Sequence, residues 1–115
     1  MHPRAIAKHS EALQAVAAEG ALLAADAAAG RSTRIYTREH SAYLSGAASK
    51  EASALTSAHT APALAQKLRV VTGLATRVSA ALRRLGKASR SEQRLLAAQL
   101  ERAARQSAQI ARSLT

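Results

Sequence analysis

The chain has no cysteine, no phenylalanine and no tryptophan, and its 115 residues include only two prolines and two tyrosines. Without cysteine there is no disulfide, no thiolate nucleophile and no thiolate metal ligand, a composition neutral about compartment. Without Phe and Trp, any core must be built from Leu, Val, Ile and Ala, and will be thin. Long apolar runs are missing too. The most apolar window, Ala15–Gly30, carries Glu19 and Asp26 and is too short and too polar to span a bilayer. The start Met1-His2-Pro3-Arg4 lacks the charged, apolar and small-residue regions of a signal peptide. The chain as given is therefore expected to be soluble, either cytoplasmic or the mature fragment of an exported protein. Catalytic signatures are also lacking. There is no Gly-rich phosphate loop and no Gly-x-Ser-x-Gly. The seven acidic residues, Glu11, Glu19, Asp26, Glu39, Glu51, Glu92 and Glu101, are scattered and form no dense pair suited to acid–base work. No enzyme and no cofactor is expected.

Alanine is abundant, at 31 positions. It is the best helix former, so the expectation is an all-α protein. Two segments confirm the period. Leu64, Leu68, Val71, Ala75, Val78, Leu82 and Leu85 recur in steps of four and three, as do Leu96, Leu100, Ala103, Ser107, Ile110 and Leu114. Such steps place residues on one side of a helix, and each seam must be covered by another helix. Small seam residues should let axes approach closely, near the short end of the usual ~8–10 Å.

Glycine and proline punctuate the rest. Helix 1 is expected over Pro3–Ala29, with Ile6, Leu13, Val16, Leu23 and Ala27 on one stripe and His9 and Gly20 in the same seam. Proline suits a first helical turn, and Gly30 can take the left-handed conformation that ends a helix. Helix 2 is expected after a Ser32 or Thr33 cap, running to about His59. Ile35, Tyr36, Tyr43, Leu44, Ala47, Ala48 and Leu55 share no clean stripe, so this helix should pack least deeply or move most. Thr60 is the expected cap of helix 3, with Pro62 in its first turn and Gly86 at its end. Ser89-Arg90-Ser91-Glu92 matches a capping box opening helix 4, which runs to about Leu114. Four helices of similar length joined by short connections predict one domain, residues 1–115, folded as an antiparallel up-down-up-down four-helix bundle. The alternative is a pair of helical hairpins that completes its core by dimerising, so a homodimer stays open.

The histidines give little. No Glu has a His three residues later, the spacing of bundle di-metal sites. If helices 1 and 2 form a hairpin, His2 and His59 fall near each other at the end distant from the first turn, and His40 lies near Leu22. A surface pair is an ordinary outcome, and no metal site is assigned. His9 is expected to be a half-buried, hydrogen-bonded side chain.

Charge is more informative. The net charge is +10, and residues 61–115 contribute +9 of it. A one-sided basic surface points to an anionic partner such as nucleic acid, membrane headgroups or an acidic protein, against the plain reading of a solubilising surface. Arg31, Arg34 and Arg38 surround the helix 1–2 corner. Arg83, Arg84, Lys87, Arg90 and Arg94 surround the helix 3–4 turn. In an up-down bundle both turns lie at one end, so the two clusters should converge as an anion- or partner-binding surface. No aromatic residues accompany the helix 3–4 cluster for stacking single strands, and long helices argue against a helix-turn-helix reader.

The strings Ala17-Ala18-Glu19-Gly20-Ala21-Leu22-Leu23-Ala24-Ala25-Asp26, Gly30-Arg31-Ser32-Thr33 and Tyr36-Thr37-Arg38-Glu39-His40 resemble a pattern in small uncharacterised actinobacterial proteins. Those are alanine-rich, helical and often exported, and the resemblance covers roughly residues 10–45. It implies no activity and raises the expectation of work outside the cytoplasm. The expected function is a non-enzymatic helical binding or structural protein with a basic surface. The alternative is a sequence-indifferent nucleic-acid binder acting through the two basic turns.

Overall fold

Apolar stripes, short turns and good caps produce four helices in the computed structural model, which describes residues 1–115. Helix α1 spans Pro3–Ala28, α2 Arg34–Thr56, α3 Ala65–Leu85 and α4 Arg90–Ser113, with a 3-10 turn at Pro62–Leu64 leading into α3. They form an all-α, up-down-up-down arrangement measuring 46 × 21 × 16 Å.

The helix ends follow local chemistry. His2 caps α1, its Nδ1 accepting from the Arg4 amide at 3.0 Å. Gly30 takes φ +78°, the left-handed conformation expected of it. Thr33 caps α2 through the Tyr36 amide, and Ser89 caps α4 through the Glu92 amide. Three expectations need correction. The reciprocal half of the capping box is not made: the Glu92 side chain forms no hydrogen bond, so Ser89 acts alone. Helix α2 stops at Thr56 rather than His59. Pro62 forces Ala61 into extended backbone (ψ 147°), and the chain leaves the helix before reaching it. Thr60 caps nothing; its hydroxyl donates to the Met1 carbonyl at 2.8 Å and ties the second turn to the N-terminus.

The predicted seams are the core. Val71, Ala75, Val78, Leu82 and Leu85 on α3, and Leu96, Leu100, Ala103 and Ser107 on α4, are buried, with Leu64, Leu68, Ile110 and Leu114 packed around them. They meet Ile6, Leu13, Leu23, Leu44 and Leu55 from the first half. Packing is most extensive between α1 and α4 and between α2 and α3, not within the sequential hairpins. The side chains explain it. Helix α1 buries Ala17, Gly20, Ala24, Ala27 and Ala28, and α4 buries Ala103, Ala104, Ala108 and Ala111. Small residues on both helices permit close approach.

Helix α2 buries fewer residues than the others, and half of them carry hydroxyls: Thr37, Ser41 and Ser45. Ser45 Oγ donates to the Ser79 carbonyl at 3.1 Å, and Ser49 and Ser79 hydroxyls meet at 2.7 Å. Thr37 donates to the carbonyl of the Thr33 cap, and Ser41 to the Arg38 carbonyl of its own helix. Each buried hydroxyl is satisfied, which removes the cost of burying it. The looser α1–α2 side is bridged by His9 Nδ1 with Glu51 Oε2, and by His40 Nε2 with Glu19 Oε2 at 3.2 Å. His9 is thus the half-buried, hydrogen-bonded residue expected of it. His40 is also stacked between Tyr36 and Tyr43 on the exposed face.

Gly46 and Gly73 lie inside α2 and α3, and an added Cβ at either meets nothing within 4 Å. Gly46→Ala and Gly73→Ala should each raise stability by about 0.5–1 kcal/mol, because alanine loses less backbone entropy in a helix. Thermal melts check this; an unchanged or lower midpoint in both variants contradicts it.

Candidate anion-binding site

The α1–α2 turn (residues 29–33) and the α3–α4 turn (residues 86–89) come together at one end of the bundle. An added Cβ on Gly86 would meet Ser41 Oγ at 3.3 Å and the Arg38 backbone at 3.7 Å. One on Gly30 would meet the Arg90 guanidinium at 3.3 Å. The second turn of α2 therefore rests on the end of α3, and Arg90 reaches from α4 over the end of α1. That carbonyl-rich helix end favours a cation.

Between the turns lies an open cleft of about 610 Å³. Ser32, Arg34, Lys87, Ser89, Arg90 and Gln93 line it, over a floor that includes Ala27 and Leu85. All eight predicted cations are solvent-exposed, but they do not form one cluster. Arg34, Lys87 and Arg90 share the cleft. Arg31 is engaged elsewhere: its Nη2 and Nε hold Asp26 Oδ1 at 3.0 and 3.2 Å. Arg38 lays its stem against Gly86. Arg84 turns away into a groove of about 550 Å³ between α3 and α4, with Arg77 and Arg102. Arg83 and Arg94 lie outside both cavities. Of the eight, only Arg31 forms an ion pair.

The sequence matches no protein-family model, no curated protein and no solved structure. The chemistry of the end must be read from its own side chains. It presents guanidinium and ammonium donors, serine hydroxyls and the amide of Gln93. Those groups bind anions by charge-assisted hydrogen bonds. They do not make a nucleophile–base pair.

Residues that sequence reasoning passed over also take part. Arg77 and Arg102 join Arg84 in the second groove. Arg77 and Arg84 are seven apart, so they share a helical face, a spacing visible in the string; Arg102 enters from another helix and has no such signal. Gln93 and Ser32 line the cleft only because the turns meet. No helix is long and apolar enough to cross a membrane.

Proposed function

We propose that the chain is a non-enzymatic helical binding protein that takes an anionic partner at the end where its two turns meet. One observation carries this reading: Arg34, Lys87 and Arg90 face a common cleft, and none has a carboxylate partner. Exposed cations with no counter-charge concentrate anions and speed their approach. Nucleic acid, membrane headgroups and acidic proteins all offer the required charge.

A second reading, sequence-indifferent binding of nucleic acid, draws on Arg83 and Arg94. They extend positive charge beyond the cleft, as contact with a row of phosphates requires. Phosphate contacts position a protein on a duplex without reading bases.

Fluorescence titration of duplex DNA and of heparin, at ~50 mM and ~200 mM salt, tests both readings. Affinity should fall steeply with salt as counterions are released. The combined Arg83→Gln, Arg84→Gln and Lys87→Gln variant should bind all duplex sequences more weakly alike. Its log–log salt slope should flatten by up to about 3, near 0.9 per lost contact. Circular dichroism should be unchanged, because the three side chains are exposed. No binding of either polyanion at ~50 mM salt would overturn the nucleic-acid reading and leave Arg83 and Arg94 as solubility features.

A further inference from the structure

We infer that the cleft between the turns is a discrete site for a phosphate monoester, an inference that rests on the anion-binding reading above and narrows it to one chemistry. Arg34, Lys87 and Arg90 come from α2, the α3–α4 turn and α4, and converge without ion pairs on one cleft of about 610 Å³. That volume suits a small ligand or a strand end, within the ~300–1,000 Å³ of ordinary ligand pockets.

One of these cations, Arg34, sits where helix electrostatics disfavours it. Arg34 is the first residue of α2, whereas Arg90, the first residue of α4, shares its turn with Glu92 and carries its guanidinium over the end of α1. A helix N-terminus carries roughly half a positive charge, so acidic residues belong there. Helix α2 has no acidic residue in its first turn. The free protein thus holds Arg34 against the positive end of α2 with no acidic residue there to offset it, a local conflict of the kind that functional sites retain. A dianion in the cleft offsets Arg34 and the positive end of α2 together.

Gln93 adds an independent constraint. Its Oε1 is the one buried side-chain polar atom in the chain without a hydrogen-bond partner, while its Nε2 donates to the Ala88 carbonyl at 3.4 Å. The residue lines the same cleft. The site therefore holds surplus donors for an anion and, buried in its wall, an acceptor that lacks a donor. A hydroxyl beside the phosphate, or a protonated phosphate oxygen, supplies that donor once the Gln93 amide turns outward; sulfate supplies none. The ligand class is a hydroxylated phosphate monoester, either a free small molecule or the 5′-phosphate end of a strand.

An amide NMR titration of the full chain with glycerol 3-phosphate, against sulfate at equal ionic strength, tests the site. Saturable shifts are expected at Ser32, Lys87, Ser89 and Gln93, with sulfate binding more weakly. Arg34→Gln and Lys87→Gln should each weaken glycerol 3-phosphate binding about tenfold, the scale of a charge-assisted bond. Arg83→Gln and Arg94→Gln, off the cleft, should change it less than about twofold. Neither Arg34 nor Lys87 makes a side-chain hydrogen bond or ion pair within the chain, so helix content should be kept. Shifts that never saturate, equal losses at all four positions, or sulfate binding as tightly as phosphate would overturn the inference. If heparin and duplex DNA still bind in that case, the broader reading stands; if only they fail while glycerol 3-phosphate saturates, polyanion binding falls and the site stands. Matched oligonucleotides with a 5′-phosphate and a 5′-hydroxyl separate the sources. Tighter binding of the phosphorylated strand than of glycerol 3-phosphate assigns a strand end, and the reverse order assigns the small molecule.

Discussion

Leu82→Asp is expected to abolish cooperative folding. Leu82 is fully buried near the C-terminal end of the α3 seam, packed toward Gly20 of α1 and within the same core cluster as Leu100 of α4. All the basic side chains of α3 are on its outer surface or at its ends, so no cation is placed to pair with a carboxylate there. Burying an unpaired charge costs several kcal/mol even after relaxation. Domains of this size are stable by only about 5–15 kcal/mol, and this core contains no aromatic side chain. The melt should lose its sigmoidal transition, or the helical circular dichroism should collapse at room temperature. Leu82→Ala is the graded comparison. It removes packing without charge and should cost about 2–5 kcal/mol while the chain still folds. If Leu82→Asp melts like the unaltered protein, the seam has been misplaced.

The second large effect is expected at Gly20. A Cβ there would stand 2.6 Å from Leu82 Cδ2 and 3.3 Å from Leu100 Cδ1. The glycine makes room for the two leucines that fill the space between helices. A residue with a side chain in a helix interior ordinarily stabilises relative to glycine, by up to about 1 kcal/mol for alanine. Gly20→Val reverses that sign, because two further methyl groups enter a site whose neighbours are fully buried. Overpacking typically costs about 1–3 kcal/mol, and the net change should be a loss. Chemical denaturation checks it, with Gly46→Ala as the open-space comparison. A Gly20→Val variant as stable as the unaltered chain would mean that Leu82 and Leu100 repack freely.

Much of this was legible in the residues. The seams from Leu64 to Leu85 and from Leu96 to Leu114 were read directly, because a helix repeats every 3.6 residues and a buried face repeats with it. Gly30 and Ser89 were legible because termini need special backbone geometry or a side-chain acceptor. Helix α2 was less so. Its inner face is Thr37, Ser41 and Ser45 beside Leu44, Ala48 and Leu55, and hydroxyl residues do not register in an apolar period. Ser45 can be buried because Ser79 of α3 meets it, and that partner lies 34 residues away. Thr60 read as a cap because a threonine before a proline-opened helix commonly is one; the Met1 carbonyl, close only in the fold, takes its hydroxyl instead.

The eight basic residues show the same division. Their concentration around two turns, and the placing of both turns at one end, follow from chain order and short connections. Which of them share a site does not. That Arg34, Lys87 and Arg90 face one cleft, Arg84 another groove and Arg31 the Asp26 carboxylate depends on side-chain directions across different helices. By itself the sequence determined four helices, most of their ends and their antiparallel order, because propensity, periodicity and capping act over a few neighbouring residues. The tertiary structure decided which antiparallel pairs draw close, how the hydroxyls of α2 are satisfied and where the unpaired cations meet, because each depends on shape and charge matched between residues far apart in the chain.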